Sequence, residues 1–378
     1  MAFPPVSAGE TAADQTGGMI AENGRRKVTK GRGATGNPEG RFARTTHEPV
    51  DDGWEPDAPA PDPRTTVSLE QARSVISRNR SPDLPFDRSV NAYRGCEHGC
   101  SYCFARPSHA WLELSPGLDF ETRLFAKANV AEVLRAELAR PGYRCAPIAM
   151  GTNTDPYQPI ERRHRLTRAV IEVLGACGHP FTLLTKNALV ERDLDLLVPL
   201  AARNLVSVAL SVTTLDNRLS ARLEPRASAP HRRLQAIRRL ADAGVPTGVM
   251  FAPVIPAVND HEMEAVLAAA REAGATRAGY VLLRLPHEVA PLFRDWLDAH
   301  LPERAAHVMA LVNQARGGRD YDARFGQRQS GTGAWAAMAK ARFDLAWRKL
   351  GFAEWRSRPL DTAAFTPPRP PSPQGELF

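Results

Sequence analysis

From Asp87 onward the chain alternates short β-branched or apolar runs with charged stretches of helical period. That alternation restricts it to a fold of repeated strand–helix units, because parallel strands need long crossover connections. Strands are expected over residues 89–93, 148–152, 181–185, 206–212, 247–253 and 279–285. Helical stretches fall between them at 130–140, 166–176, 191–202, 231–243 and 260–273, with Gly142, Gly178, Gly244 and Gly274 where helix stops belong. Six such units make an incomplete (β/α)6, TIM-like barrel the natural architecture. Functional groups then gather at the C-terminal ends of the strands. After Pro286 the period stays helical but the alternation ceases, so the expected organisation is a largely disordered segment over 1–84, a barrel core over 85–290, a helical extension over 291–366 and a loose tail over 367–378.

Three of the five cysteines lie within eight positions, Cys96, Cys100 and Cys103, directly after the first expected strand. Eight residues reach at most about 25 Å, and Gly95 and Gly99 let the backbone fold back, so this loop can wrap one compact object. Thiolates at this spacing suit an iron–sulfur cluster or zinc. Three ligands leave one metal position open, as in sites that do chemistry rather than hold structure. His98 lies inside the loop, and a zinc-stabilised nucleic-acid-binding module using His98 as fourth ligand is one alternative; a cluster-containing redox sensor or electron carrier is another. Cys145 and Cys177 read as small buried apolar residues.

The expected strand exits carry polar groups suited to a bound cofactor. The second runs into Gly151-Thr152-Asn153-Thr154-Asp155, the third ends in Thr185-Lys186-Asn187, and the fourth ends in Ser211-Val212-Thr213-Thr214, whose alternation aims Ser211 and Thr213 to one face. The fifth leads into an apolar lip, Ala252-Pro253-Val254-Ile255-Pro256.

The Cys-x3-Cys-x2-Cys loop resembles that of the radical S-adenosylmethionine (radical SAM) superfamily. The strings from Gly151 to Glu161, Thr185-Lys186 and Ser211 to Pro225 are similar in order to the spore photoproduct lyase-like branch, over about residues 86–290. The resemblance implies a radical SAM-type barrel in which Cys96, Cys100 and Cys103 hold a [4Fe–4S] cluster. It also implies that the fourth iron binds S-adenosylmethionine, whose reductive cleavage yields a 5′-deoxyadenosyl radical that abstracts hydrogen from a substrate. It implies that Tyr102 lies beside the adenine, that Thr154, Asp155, Lys186 and Ser211 contact the cofactor, and that an external one-electron reductant of the flavodoxin or ferredoxin kind is the partner. One departure stands out: the branch's namesake has a hydrogen-donating cysteine just before the hydroxyl–Asp pair, where this chain has Asn153.

A formal net charge of +7 is compatible with an anionic substrate, and nucleic acid is the leading candidate. No apolar run approaches the roughly 20 residues of a membrane span, and the N-terminus lacks a signal-peptide pattern, so no membrane partner and a cytoplasmic location are expected. Arginines at 162, 163, 165, 168, 222, 226, 232 and 233 are candidate phosphate contacts or solvated helix faces. A glycine- and arginine-rich loop runs over 316–328, and Arg324, Arg328 and the Gly331-Thr332-Gly333 loop are a candidate lid over the barrel mouth.

Overall fold

The computed structural model describes residues 28–44, 64–354 and 359–368. Its strands are β1 (Thr66–Glu70), β2 (Ile76–Arg78), β3 (Arg88–Val90), β4 (Tyr93–Arg94), β5 (Arg123–Lys127), β6 (Ile148–Met150), β7 (Phe181–Thr185), β8 (Val206–Ser211), β9 (Thr247–Val254) and β10 (Arg277–Leu282). The main sheet has the order β10-β9-β8-β7-β6-β3-β2. Neighbours from β3 through β10 pair in parallel, and β2 adds an antiparallel edge to β3. The six parallel strands are the six expected ones. Every residue of β8 is buried, Ser207 and Ser211 included, as a strand covered on both faces requires.

The crossovers are helical where the sequence places them: Val130–Leu138, Leu166–Ala176, Leu194–Ala202, Pro230–Asp242 and Met263–Glu272. Gly142, Gly178, Gly244 and Gly274 all follow these helices with positive φ. Three further helices, Val289–His300, Pro302–Gln314 and Gly333–Lys349, form the C-terminal extension. Phe293 and Trp296 of the first, and Val308 of the second, share an apolar cluster with Cys100 and Tyr102, so the extension backs the cysteine loop. No helix among the described residues is long and apolar enough to cross a membrane.

The main sheet does not close, and the gap between its edges is spanned by the glycine- and arginine-rich stretch. Leu282 N at the end of β10 donates to Gln329 O (2.8 Å). Gln329 Nε2 donates to Asp83 O (3.0 Å) in the β2–β3 connection, and the Arg328 guanidinium pairs with the Asp83 carboxylate (2.6 Å). The expected lid is therefore a strap between the two free edges of the barrel.

Part of the segment expected to be loose is built into the fold. Residues 1–27 and 45–63 lie outside the described residues, but 28–44 cross the cysteine loop and 64–84 contribute two strands. β1 runs parallel to β5, which pairs antiparallel with β4, giving a three-stranded sheet beside the cysteine loop. These pieces bury little apolar surface of their own. Backbone pairing and buried carboxylates hold them instead, which a hydrophobicity pattern does not display. The last ten residues of the tail lie outside the description as well.

Candidate functional site

All three clustered cysteines are free thiols at the C-terminal end of the parallel strands, and Cys96 and Cys100 are buried. Gly95 and Gly99 have positive φ, and turns link Cys96 O to Gly99 N (3.4 Å) and Cys100 O to Cys103 N (3.2 Å). Burial raises all three thiols above the ordinary range. For Cys96, the Asp155 carboxylate and the other two thiols of the loop push in the same direction. Three thiolates here are unfavourable without a positive centre to receive them, as expected where a cluster supplies that charge.

The loop is fastened on every side. Thr154 Oγ1 donates to Gly95 O (2.5 Å), and Gln158 donates to Gly95 O (3.2 Å) while accepting from Glu97 N (2.9 Å). Arg106, wholly buried, donates from Nε and one terminal nitrogen to Cys100 O (2.9 and 2.8 Å). The same guanidinium pairs with buried Glu121, whose carboxylate also accepts from Gly33 N (3.0 Å) and Ala34 N (2.8 Å). Glu121 thus clamps the N-terminal segment onto the loop. The contact is close enough to require glycine: a Cβ on Gly33 would lie 1.7 Å from Gly99 O. Glu97 is held by Arg226 (3.0 Å) and by Thr65 Oγ1 (2.8 Å), so Arg226 is a loop fastener rather than a free phosphate contact.

His98 is not available to a metal. Its Nδ1 faces Asp155 Oδ2 (3.3 Å), and Asn187 Nδ2 faces its Nε2 (3.2 Å), within a buried pocket. Among the described residues, no three His, Cys, Asp or Glu side chains converge on a single-ion site. A four-iron cluster asks for something different, because each cysteine binds a different iron and the sulfurs stand apart around it. The zinc alternative loses its fourth ligand. The donor set fits an iron–sulfur cluster.

Of the cofactor-contact candidates, Thr154 and Asp155 are spent on protein. Asp155 accepts from Thr185 Oγ1 (2.6 Å), Lys186 N (2.8 Å) and Tyr157 N (2.8 Å) besides His98. Burial pushes this carboxyl up, but His98 and these donors outweigh it and hold it at about 2. Among the described residues, the side chains of Lys186 and Ser211 make no hydrogen bond or ion pair. Lys186 Nζ lies 5.9 Å from the Tyr102 ring centroid, and burial's downward pull on it is overcome by Cys100 and the Glu224 carboxylate, which raise it. Ser211 Oγ makes no hydrogen bond among the described residues, although Ser211 O accepts from Arg233 (3.0 Å).

Thr213, expected beside Ser211 as a second free hydroxyl, instead donates to Glu224 Oε1 (2.5 Å). The same carboxylate accepts from Tyr102 OH and pairs with the buried Arg233 guanidinium. Burial pushes Glu224 up, but Arg233 and Lys186 win and its pKa is lowered. Tyr102 therefore presents its ring with a committed hydroxyl. Glu224 joins the cysteine loop, the β8 exit and the helix Pro230–Asp242.

Among the remaining arginines, Arg168 is neutralised by Asp193 and Asp195 and Arg232 faces Glu191, while Arg162, Arg163, Arg165 and Arg222 are exposed. Cys177 is buried in the core and Cys145 half-buried. The fastening roles of Glu97, Arg106, Glu121, Gln158 and Asn187 were not visible in the sequence, since nothing in their spacing marks a polar residue as buried.

An uncharacterised protein of Mycobacterium tuberculosis (strain H37Rv) is 39% identical over 253 residues, covering 66% of this chain and 74% of its own length. A second, from Methanocaldococcus jannaschii, is 26% identical over 192 residues, covering 51% and 69%. Residues 90–270 match the family model described as the Radical SAM superfamily. The chain belongs to the radical SAM superfamily. Members of that superfamily are enzymes that typically bind a [4Fe–4S] cluster and S-adenosylmethionine. The fold is similar to that of spore photoproduct lyase complexed with dinucleoside spore photoproduct, with a TM-score of 0.52 at 14% identity over 76% of this chain and 80% of that one. A variant of the same enzyme, solved with bound AdoMet and the dinucleoside, superposes with the same TM-score at 13% identity.

Proposed function

We propose that this chain is a radical SAM enzyme in which Cys96, Cys100 and Cys103 hold a [4Fe–4S] cluster. The observation that carries the reading is the loop itself: three free thiols at the strand ends, Cys96 and Cys100 of them buried, with Thr154, Asp155 and His98 beside them bonded to protein and the side chains of Lys186 and Ser211 left over among the described residues. When bound, the cluster and S-adenosylmethionine supply the chemistry of the superfamily, reductive cleavage to a 5′-deoxyadenosyl radical that takes hydrogen from a substrate.

The protein's part is to orient and to exclude. The Lys186 ammonium offers a point charge to the amino-acid carboxylate of the cofactor, and Ser211 Oγ a hydrogen bond to a ribose hydroxyl. Tyr102, fixed by Glu224, offers its ring as a wall for the adenine. Thr154 and Asp155 act one step back, by holding Gly95 and His98 in place. The electron comes from an external one-electron donor of the flavodoxin or ferredoxin kind. Nucleic acid is the substrate class best supported, by the +7 charge and the fold shared with an enzyme solved with a dinucleoside. Asn153, at the position of the hydrogen-donating cysteine of the namesake enzyme, argues for a different reaction on that class of substrate.

Anaerobic reconstitution tests the reading. A reduced-cluster paramagnetic signal that changes on adding S-adenosylmethionine, with release of 5′-deoxyadenosine under dithionite, is expected. The Cys96→Ala/Cys100→Ala/Cys103→Ala variant should lose both. A cluster retained by that variant, or no deoxyadenosine from the wild type, sinks the proposal.

A further inference from the structure

Beyond β10 the chain runs Leu283-Arg284-Leu285, at the same end of the sheet as the cysteines. Arg284 is half-buried, and its guanidinium lies 4.8 Å over the ring of Phe104, the residue that follows Cys103. Its centre is 5.9 Å from the Tyr321 ring, and one terminal nitrogen donates to Tyr321 OH (3.2 Å). Among the described residues, no carboxylate pairs with it. Among those residues its Nε is buried with no acceptor, and its other terminal nitrogen has no hydrogen-bond partner. A positive group left so incompletely bonded is costly unless something else completes it.

The charge around Arg284 is compensated only in part, by Asp322 acting on the neighbouring Arg316. Among the described residues, Arg316, buried behind it, donates only to the carbonyls of Leu282, Leu283 and Gln327. Burial, and then Arg284 itself, lower Arg316 to about 10. The nearby Asp322 is taken by Arg324. Meanwhile Phe104 is 45% exposed, so a large aromatic face stands open beside the cluster loop. A planar cation held between aromatic rings, next to an open ring face, matches a group that is both anionic and flat.

We infer that Phe104, Arg284 and Tyr321 form the substrate-recognition site, taking one nucleotide of a single-stranded nucleic acid with its base on Phe104 and its phosphate on Arg284. This rests on the radical SAM reading for its place beside the cluster, and it names the substrate class of that same site. Adjacency to Cys103 puts the sugar or base of the held nucleotide close to where hydrogen is to be taken, and Tyr321 OH fixes the plane of the guanidinium.

The test is binding of a fluorescein-labelled single-stranded 12-mer deoxyoligonucleotide to the reconstituted full chain, followed by anisotropy. Arg284→Gln should weaken binding about tenfold or more, as loss of a charge-assisted hydrogen bond does. It should also lower the salt slope by about one. Phe104→Leu should weaken binding several-fold at an unchanged salt slope, and more for a normal 12-mer than for one with an abasic site. Arg319→Gln, which removes the same charge from an exposed position in the strap, should bind within about twofold of wild type. Arg284→Lys, a second probe less disruptive to folding, should keep the salt slope but not the affinity. The inference is overturned if Arg284→Gln and Arg284→Lys bind as wild type, or if Arg319→Gln falls as far as they do. A wild type that forms deoxyadenosine but does not bind the oligonucleotide also overturns it, while leaving the radical reading standing. Binding without deoxyadenosine overturns that reading instead.

Discussion

Glu224 is the hub most open to a quantitative test. One buried carboxylate serves the cysteine loop through Tyr102, the β8 exit through Thr213 and the helix Pro230–Asp242 through Arg233. Glu224→Gln keeps the shape and one accepting oxygen but removes the charge. The Tyr102 and Thr213 hydroxyls can share the remaining oxygen. Arg233 cannot adapt, because it is buried and its other donors are already fixed on Ser228 O (2.6 Å) and Ser211 O (3.0 Å). The variant therefore leaves a guanidinium buried without a counter-charge, a loss of about 3–5 kcal/mol. That is a large share of the roughly 5–15 kcal/mol that holds a typical domain. Urea denaturation followed by tryptophan fluorescence is a suitable assay, since Trp296 packs in the same apolar cluster as Tyr102. Arg233→Met in the same chain should recover much of the loss, because the double variant leaves no charge behind. A double-mutant cycle should then give a coupling of at least about 1.5 kcal/mol. A Glu224→Gln cost below about 1 kcal/mol, or additive single and double variants, would refute the reasoning.

Three further outcomes follow from the same geometry. Gly33→Ala drives a Cβ into Gly99 O; the expected loss is about 1–3 kcal/mol with faster amide exchange across residues 28–44, and unchanged exchange there would count against the clamp. Burial lowers His179 from 6.5 to about 4, with Tyr143 OH (2.9 Å) and Pro180 O (2.9 Å) on the neutral ring. Its contribution is complete above pH 6.5 and lost as pH falls toward 4, roughly 3 kcal/mol in all, so His179→Gln should flatten the denaturation-versus-pH curve over that window. The Arg328 hydrogen bond lowers Asp83, so the strap's ion pair persists below the ordinary aspartate range and fails only as pH falls through the lowered value. Arg328→Gln should speed tryptic cutting within 316–332 at neutral pH, and equal rates would remove the strap from the barrel's closure.

The alternation of strand and helix was legible because each unit carries its own period: β7 through β10 lie where apolar runs predict them, and the glycines after the helices mark where those helices stop. The three cysteines were legible for a similar reason, since eight residues of chain keep them together whatever the rest does. Lys186 and Ser211 are strand-end polar groups in the sequence, and among the described residues their side chains are left without a hydrogen bond or ion pair. Thr154, Asp155 and Thr213 looked the same in the sequence, yet the fold spends them on Gly95, His98 and Glu224.

What the sequence determined by itself, then, is the local part: the order of the strands, the thiols of the loop and the family they mark. What only the tertiary structure decided is which polar groups are consumed and which are left over. Gly33 meets Gly99, Glu121 meets Arg106, and Arg328 meets Asp83 across separations of 15 to 245 residues, with partners chosen by the packing of the sheet rather than by spacing along the chain. Whether a charged residue is a ligand, a fastener or a solvated side chain depends on which opposite charge is buried with it. That is settled only when distant segments are brought into the same low-dielectric space.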